Sequence, residues 1–221
     1  MPETQPRRLP RGRHALAREE VRRIQRSRLC AAMAEVMAEK GYVATSVADV
    51  LQRAVVSRQS FYELFDSKLD CFMAAFDCAG ELLLERLAGD VGDAPKVGDV
   101  IAGAAPGDRL ELAERAITAY LAALAAELPY ARLFLVEVYA AGPEAIRRRG
   151  AIQEVITEAL AGLVGGGDEA ARFACRVIVA ATSAMVTPAV AENDADALRA
   201  LGPPLIEHVR RLWDAGILSG S

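Results

Sequence analysis

The chain has 221 residues, of which 52% are apolar and 5% aromatic, and the predominance of Ala, Leu, Arg and Glu favours an all-helical protein with a sizeable core. The net charge is −4, but residues 1–70 hold 13 Lys and Arg against 9 Asp and Glu, whereas the rest holds 13 against 21. The start lacks the apolar stretch of a secretory signal and the longest uncharged run, 177–191, is too short to span a bilayer, so the composition indicates a cytoplasmic protein without a membrane partner.

The chain opens with a basic arm and one long helix. Residues 1–17 contain three prolines and several arginines and are predicted to be disordered. From Arg18 onwards apolar residues recur at helical spacing, and Gly41 ends this helix as a left-handed cap. The stripe that should pack inwards consists of Leu29, Ala32, Met33, Val36 and Met37.

Two short helices follow, each with its own cap. Ser46 and Asp49 have the spacing of a capping box for a helix of at most ten residues. Ser57 can cap a second helix that runs to about Phe65. A second box, Ser67 with Asp70, starts a longer helix at 67–88.

The remainder of the chain is predicted to be helical, and no strand is predicted. Residues 89–107 hold five glycines and two prolines and should form a loop, with one short helical turn near 97–102. Prolines and glycines then mark the helix starts and ends. The predicted helices are 108–127, 129–140, 143–163, 168–186 and 204–213. The uncharged run at 177–191 is interpreted as part of a buried helix.

The stretch "VVSRQSFYELF" at 55–65 combines a polar first turn with an aromatic end. Two short capped helices after a longer one form a helix-turn-helix unit, whose second helix places its first turn in the major groove of DNA. The aromatic end would anchor that helix to the core, and the positive charge of residues 1–70 favours a polyanionic partner. A solvated basic tail without a partner is the alternative. The candidate DNA-binding residues are Thr45, Ser46, Ser57, Arg58, Gln59, Ser60, Tyr62 and Lys68.

The segment "GYVATSVADVLQRAVVSRQSFYELFDSKLD" at 41–70 resembles the N-terminal domain of the TetR family of transcriptional repressors. The resemblance implies a helix-turn-helix domain at 18–66 and a helical effector-binding and dimerisation domain at 67–221. It further implies a homodimer that binds double-stranded operator DNA and leaves it when a small molecule binds the C-terminal helices.

Three positions depart from the family pattern. Val55 stands where the turn usually has glycine, Leu51 where the family has alanine, and Leu64 where it has histidine or tyrosine. A β-branched residue resists positive φ. Val55 therefore indicates either a strained turn or a reshaped one.

The helices at 67–88, 108–127, 129–140 and 143–163 are expected to enclose an effector cavity, partly from the resemblance and partly because Met and aromatic residues lie on their inward stripes. With few polar groups in reach, a pocket of several hundred Å³ favours a largely apolar effector. The alternative is that these side chains pack together. The candidate ligand-binding residues are Phe72, Met73, Phe76, Tyr120, Leu121, Leu124, Phe134 and Glu137.

The dimer is expected to form through helices near 168–190 and 204–215, where small and apolar residues allow close approach. A constitutive DNA-binding regulator without an effector is the second hypothesis.

Catalysis and metal binding have no sequence support. The four cysteines form no CxxC pair and the two histidines no ExxH motif, which predicts reduced core thiols and no metal, cofactor or catalytic residue. An all-helical enzyme is the third hypothesis, and it lacks paired carboxylates or an activated nucleophile.

Overall fold

A computed structural model describes residues 12–91, 106–165 and 168–218 of the chain, and within these ranges it contains helices and no strand. Of the predicted loop at 89–107, residues 89–91 belong instead to the helix Lys68–Val91 and residues 106–107 to a short 3-10 turn, whereas residues 92–105, with the predicted helical turn near 97–102, lie outside the described residues. The helices are α1 (Gly12–Ala44), α2 (Val47–Ala54), α3 (Arg58–Tyr62), α4 (Lys68–Val91), α5 (Arg109–Ala126), α6 (Leu128–Arg132), α7 (Val138–Ala141), α8 (Pro143–Val164), α9 (Glu169–Ala191), α10 (Ala195–Ala200) and α11 (Gly202–Asp214).

The helix α1 begins earlier than the sequence predicted. It starts at Gly12, so residues 12–17 of the predicted disordered arm are helical. Gly41 interrupts its last turn with φ 75° and ψ 164°, a positive-φ conformation that suits glycine but is not the left-handed helical conformation of the predicted cap, and the helix continues to Ala44. The Thr45 hydroxyl then donates to the Gly41 carbonyl at 2.8 Å, which closes the end of the helix.

Both predicted caps of the short helices are present. The Ser46 hydroxyl accepts from the Asp49 amide and the Asp49 carboxylate accepts from the Ser46 amide, so α2 begins with a complete capping box. The Ser57 hydroxyl accepts from the Ser60 amide at 3.0 Å and caps α3. These local bonds define the start of each short helix and hence the direction in which α3 points.

The later helices differ from the prediction in three places, and one of these is that α9 runs to Ala191 rather than ending near Val186. The predicted helix at 129–140 is divided into α6, one π-helical turn at Leu133–Glu137, and α7. The short helix α10 was not predicted; Asp194 caps it by accepting from two backbone amides.

One continuous apolar core joins the first three helices to the rest of the chain. The Phe61 ring is inaccessible to solvent and packs 5.6 Å from the Phe65 ring, and the same cluster extends to Phe76, which stacks on Phe134 at 4.9 Å. A smaller cluster, which includes Val209, holds α11 against α5, α8 and α9. The position of α3 is therefore tied to that of α4 and of the π-helical turn by shared packing.

The helix α9 is only half covered, which corrects the prediction of a buried helix at 177–191. Its inward side includes Ile178 and Val186, whereas its outward side exposes Phe173, Val177 and Met185 to 61, 50 and 44%. By length and composition α9 could cross a membrane, with a mean hydropathy of 1.6 over 18 residues, and only 28% of that window is buried.

Candidate DNA-binding surface and effector cavity

The helix α3 presents its first turn to solvent and its second to the core. Arg58 and Gln59 are exposed directly after the Ser57 cap. Phe61 and Phe65 are buried at 0 and 2% exposure and anchor the helix. The Gln59 amide donates to the Glu63 carboxylate at 2.9 Å and Arg58 extends into solvent, so the helix presents exposed polar side chains on a rigid base, as a recognition helix does.

Two further predicted contact residues of α3 have different surroundings. Tyr62 is 51% exposed, and its ring meets the edge of the Phe61 ring at 5.2 Å, so its hydroxyl end is free to reach a phosphate. Ser60 is half-buried; its hydroxyl lies 3.0 Å from the Ser57 hydroxyl and 3.5 Å from the Gln25 amide nitrogen. Ser60 therefore faces α1 rather than the open surface.

Three residues predicted to contact DNA take part in holding the unit together. Thr45 is 2% exposed and its hydroxyl already donates within α1, so a phosphate contact through this group is not available. The Lys68 ammonium donates to the carbonyls of Tyr42 and Thr45 at 2.9 and 3.0 Å and lies 4.2 Å from the centre of the Tyr42 ring. Ser46 is exposed but its hydroxyl is shared with the Asp49 capping box.

The capping carboxylate of α2 is held ionised. Hydrogen bonds from Lys40 and then from Ser46 keep the pKa of Asp49 well below its usual range. Because Asp49 is the N3 residue of α2, its negative charge also complements the helix dipole.

The turn between α2 and α3 is strained at Val55. This residue has φ 53° and ψ 49°, the left-handed conformation that the family pattern meets with glycine, and its side chain is 83% exposed. Its amide still donates to the Leu51 carbonyl. Of the two sequence-based expectations for Val55, the structure shows the strained turn rather than a reshaped one.

The positive charge near α3 comes mainly from α1. Arg53 of α2 is paired with Glu35 and Glu39 at 3.0 and 2.7 Å. Arg22 and Arg28 of α1 are exposed on the described part of the helix. The net charge of +4 over residues 1–70 is therefore distributed along the first helix more than within the helix-turn-helix.

An apolar cavity of about 150 Å³ lies in the C-terminal body, which is smaller than the several hundred Å³ expected from the sequence. Residues from α4, α5, the π-helical turn, α8 and α9 form its wall. The polar members of the wall are Tyr120, Gln153, Thr182 and Ser183. Burial raises the pKa of Tyr120 to about 12, so this phenol is neutral at physiological pH.

Two of the eight predicted ligand-binding residues, Tyr120 and Phe134, line this cavity. Leu124 lies against a separate small pocket, also bounded by Phe134, beside the Arg86–Glu127 ion pair. The remaining predicted residues belong to the packed core or, for Glu137, to a polar contact with α1. The predicted residues divide in this way because one helix face serves both the core and the cavity. The residues that line no wall of the main cavity are Phe72, Met73, Phe76, Leu121, Leu124 and Glu137.

Glu137 connects the body with the end of α1. Its carboxylate accepts from the Tyr42 amide at 2.7 Å and from Arg132 Nε at 3.1 Å, and its side chain is 7% exposed. Arg132 in turn donates to the Ala191 carbonyl at the end of α9. A Cβ at Gly41 would lie 3.4 Å from the same carboxylate, so a side chain there would crowd the contact. The sequence signal for this contact was weak, because a lone glutamate in an apolar helix has no local partner.

The cysteines are unbonded thiols in the described part of the chain, and no cluster of three metal-ligating side chains is found there. Cys30 of α1 and Cys78 of α4 are hydrogen-bonded neighbours. That bond lowers the pKa of Cys78, the more exposed of the two, and raises the pKa of Cys30. Burial raises the pKa of Cys71 to about 12 and that of Cys175 to about 11.

The geometry of the described residues defines an architecture. A helix-turn-helix with an exposed polar first turn, joined by a shared core to a helical body with an apolar cavity, is the architecture of a helix-turn-helix DNA-binding protein. Residues 29–75 match the family of bacterial regulatory proteins described as the tetR family. This match covers the helix-turn-helix and the start of α4, so the N-terminal part of the chain is similar to the DNA-binding domain of tetR-family regulatory proteins.

Solved structures of similar fold cover most of the chain. The transcriptional regulator FadR from Bacillus subtilis, solved in complex with stearoyl-CoA, is 21% identical over 83% of this chain and 96% of its own, with a TM-score of 0.67. A TetR-like regulator from Rhodococcus sp. RHA1 is 20% identical over 95% of this chain and 100% of its own, with a TM-score of 0.62. The TetR-family regulator PfmR from Thermus thermophilus is 21% identical, covers 81% of this chain and 94% of its own, and has a TM-score of 0.56. No curated protein sequence matches the chain.

Proposed function

We propose that the protein is a homodimeric, cytoplasmic repressor that leaves its operator DNA when a small, largely apolar effector binds the cavity. Residues 18–66 would bind DNA and residues 67–221 would bind the effector and the second subunit. Regulators of this family are in general not enzymes, and we assign the cavity to sensing rather than to catalysis.

The proposed DNA contacts follow from exposure and charge. Arg58 and Gln59 are exposed at the first turn of α3 and would read base edges in the major groove, where an arginine pairs with guanine and a glutamine with adenine. Tyr62 would position the helix through a phosphate. Lys68 supports these contacts indirectly, because it holds the end of α1 in place.

The proposed effector is apolar because the cavity wall is. The wall is formed mainly by apolar side chains such as Leu160, Ile117 and Ile178, and four of its side chains are polar. The bound stearoyl-CoA in the similarly folded FadR gives further support for an effector with a long apolar portion.

The observation that carries the proposal is the connection between the cavity and the helix-turn-helix. Phe134 belongs to the π-helical turn and lines the cavity, and Glu137 of the same turn binds the Tyr42 amide at the end of α1. A ligand that moves Phe134 would therefore also move the Glu137 carboxylate, which accepts the hydrogen bond from the end of the first helix. A tenfold loss of DNA affinity requires about 1.4 kcal/mol of differential binding, which is of the order of one or two hydrogen bonds.

The proposed dimer forms through the exposed side of α9, with a contribution from Val155 of α8. Alanines between Phe173 and Met185 would allow close helix approach, and a stable interface should bury more than about 1,000 Å². Leu205 and Val209 of α11 face the core, so the expected contribution of the last helix would come from its opposite, exposed side. A second copy of the chain would also cover the surface that makes α9 look like a membrane segment.

The test is a DNA selection followed by an effector titration with the full-length protein. Selected sites should be palindromic, and Arg58→Ala should relax the preference at one base pair in each half-site by about 1–3 kcal/mol. Arg199→Ala, an exposed body arginine paired with Asp196, is the matched control and should change nothing. A set of alkyl compounds should then reduce DNA binding. If the protein bound DNA tightly and no cavity ligand altered that binding, it would be a constitutive DNA-binding regulator without an effector.

A further inference from the structure

The proposed effector cavity has a positively charged residue, Arg149, beside its wall. Arg149 lies on α8 one turn before Gln153, a residue of the cavity wall, and its Nη2 donates to the Ser183 hydroxyl at 2.6 Å. Ser183 is itself part of the wall. The guanidinium is therefore a single hydrogen bond away from the cavity.

This guanidinium has only neutral partners. Its Nη1 donates to the Tyr139 hydroxyl at 3.0 Å, its carbon lies 5.5 Å from the centre of the Tyr139 ring, and its Nε is buried without a hydrogen-bond partner. Among the described residues no carboxylate lies within ion-pair distance of Arg149. Neighbouring Arg148, by contrast, pairs with Asp77 at 2.8 Å.

An unbalanced charge beside an apolar cavity points to a missing anion. A partly desolvated cation with an unused N–H raises the free energy of the folded protein until an acceptor of opposite charge binds it. The other polar wall groups near Ser183 are neutral, since Thr182 carries a hydroxyl and Tyr120 stays protonated. The wall in the described part of the chain therefore contains no acid that would repel a carboxylate.

We propose that the effector is an amphiphile with a terminal carboxylate, whose apolar body fills the cavity and whose carboxylate pairs with Arg149 beside the Ser183 hydroxyl. This inference rests on the proposed effector function and specifies its ligand class. The carboxylate displaces the guanidinium from its neutral partners and accepts a pair of charge-assisted hydrogen bonds, the strongest type available to an arginine.

The test compares two ligands of the same chain length, decanoate and 1-decanol, by calorimetric titration of the full-length protein at neutral pH. Decanoate should bind at least about tenfold more tightly, because one ion pair of this kind exceeds a neutral hydrogen bond by that factor or more. Arg149→Gln should remove this preference and leave decanol affinity unchanged. Arg148→Gln, on the same helix and in a pair with Asp77, is the matched control, and Arg149→Lys should retain part of the preference.

The outcomes separate this inference from the function on which it rests. If the wild type bound both ligands equally, the proposed carboxylate recognition would be refuted, while the proposal of an apolar effector would stand. This conclusion needs no variant. Binding of neither ligand would overturn both. If Arg149→Gln shifted the monomer–dimer equilibrium in sedimentation and left the ligand preference unchanged, the arginine would serve the subunit interface and the inference would fail.

Discussion

Replacing Val55 with glycine should stabilise the protein, although it deletes an apolar side chain. Val55 sits in the left-handed region at φ 53°, and its side chain is 83% exposed, so its removal forfeits little burial. A non-glycine residue in this conformation costs about 1–3 kcal/mol. Relief of this strain is offset by about 0.5–1 kcal/mol, because glycine has more conformational freedom to lose on folding. The net expectation is a gain of about 1 kcal/mol.

The matched control is Val43→Gly. Val43 is equally exposed at 83%, lies in the last turn of α1, and is not among the residues with positive φ. The same substitution there should therefore destabilise the protein by about 0.5–1 kcal/mol, because only the entropic cost remains.

The assay is thermal and urea-induced unfolding of both variants beside the wild type. For a chain of this size, 1 kcal/mol corresponds to about 2–4 °C in Tm. The two variants should thus move Tm in opposite directions. If Val55→Gly lowered Tm as much as Val43→Gly does, backbone strain at the turn would not contribute to stability and the reasoning would be refuted.

Three further predictions concern the contacts between the parts of the protein. Glu137→Gln keeps an acceptor for the Tyr42 amide but removes a buried ion pair, so the free energy of unfolding in urea should fall by about 1–2 kcal/mol. The effector should also change the DNA affinity of this variant less than that of the wild type. If the effector changed it equally, this contact would not take part in the coupling. Phe173→Glu should convert a dimer to a monomer in sedimentation while Ile217→Glu, an equally disruptive change outside the α9 face, should not. Cys78 should be the first thiol alkylated near neutral pH, with a rate that rises with pH as its lowered pKa is passed, and modification of another cysteine first, seen by mass spectrometry, would contradict the assigned hydrogen bond.

The local parts of the fold were predictable because their signals are local. Caps at Ser46 and Ser57 depend on side chains three residues away from their partners, and the structure shows both. The family pattern showed that Val55 is unusual in the turn, but the sequence alone does not determine the sign of its φ angle, which is positive in the structure.

The cavity was predicted only in part because its wall combines residues from five segments. Periodicity identifies an inward face of a helix but not whether that face meets a solid core or an empty space. Phe76 and Phe134 lie on such faces and stack on each other, yet Phe134 alone also reaches the cavity. Arg149 was not among the predicted site residues. It lies within a run of three arginines, and such a run usually indicates a solvent-exposed helix face.

The continuous core also sets a limit on domain exchange. Phe61 and Phe65 of the DNA-binding region pack in the same cluster as Phe72 and Phe76 of α4, and the Glu137 contact crosses the same junction. A chimaera that takes residues 18–66 from this protein and the remainder from another regulator would cut through this packing. Grafts that keep α4 with the first three helices, and that bring a compatible π-helical turn, are the ones we expect to fold and to respond.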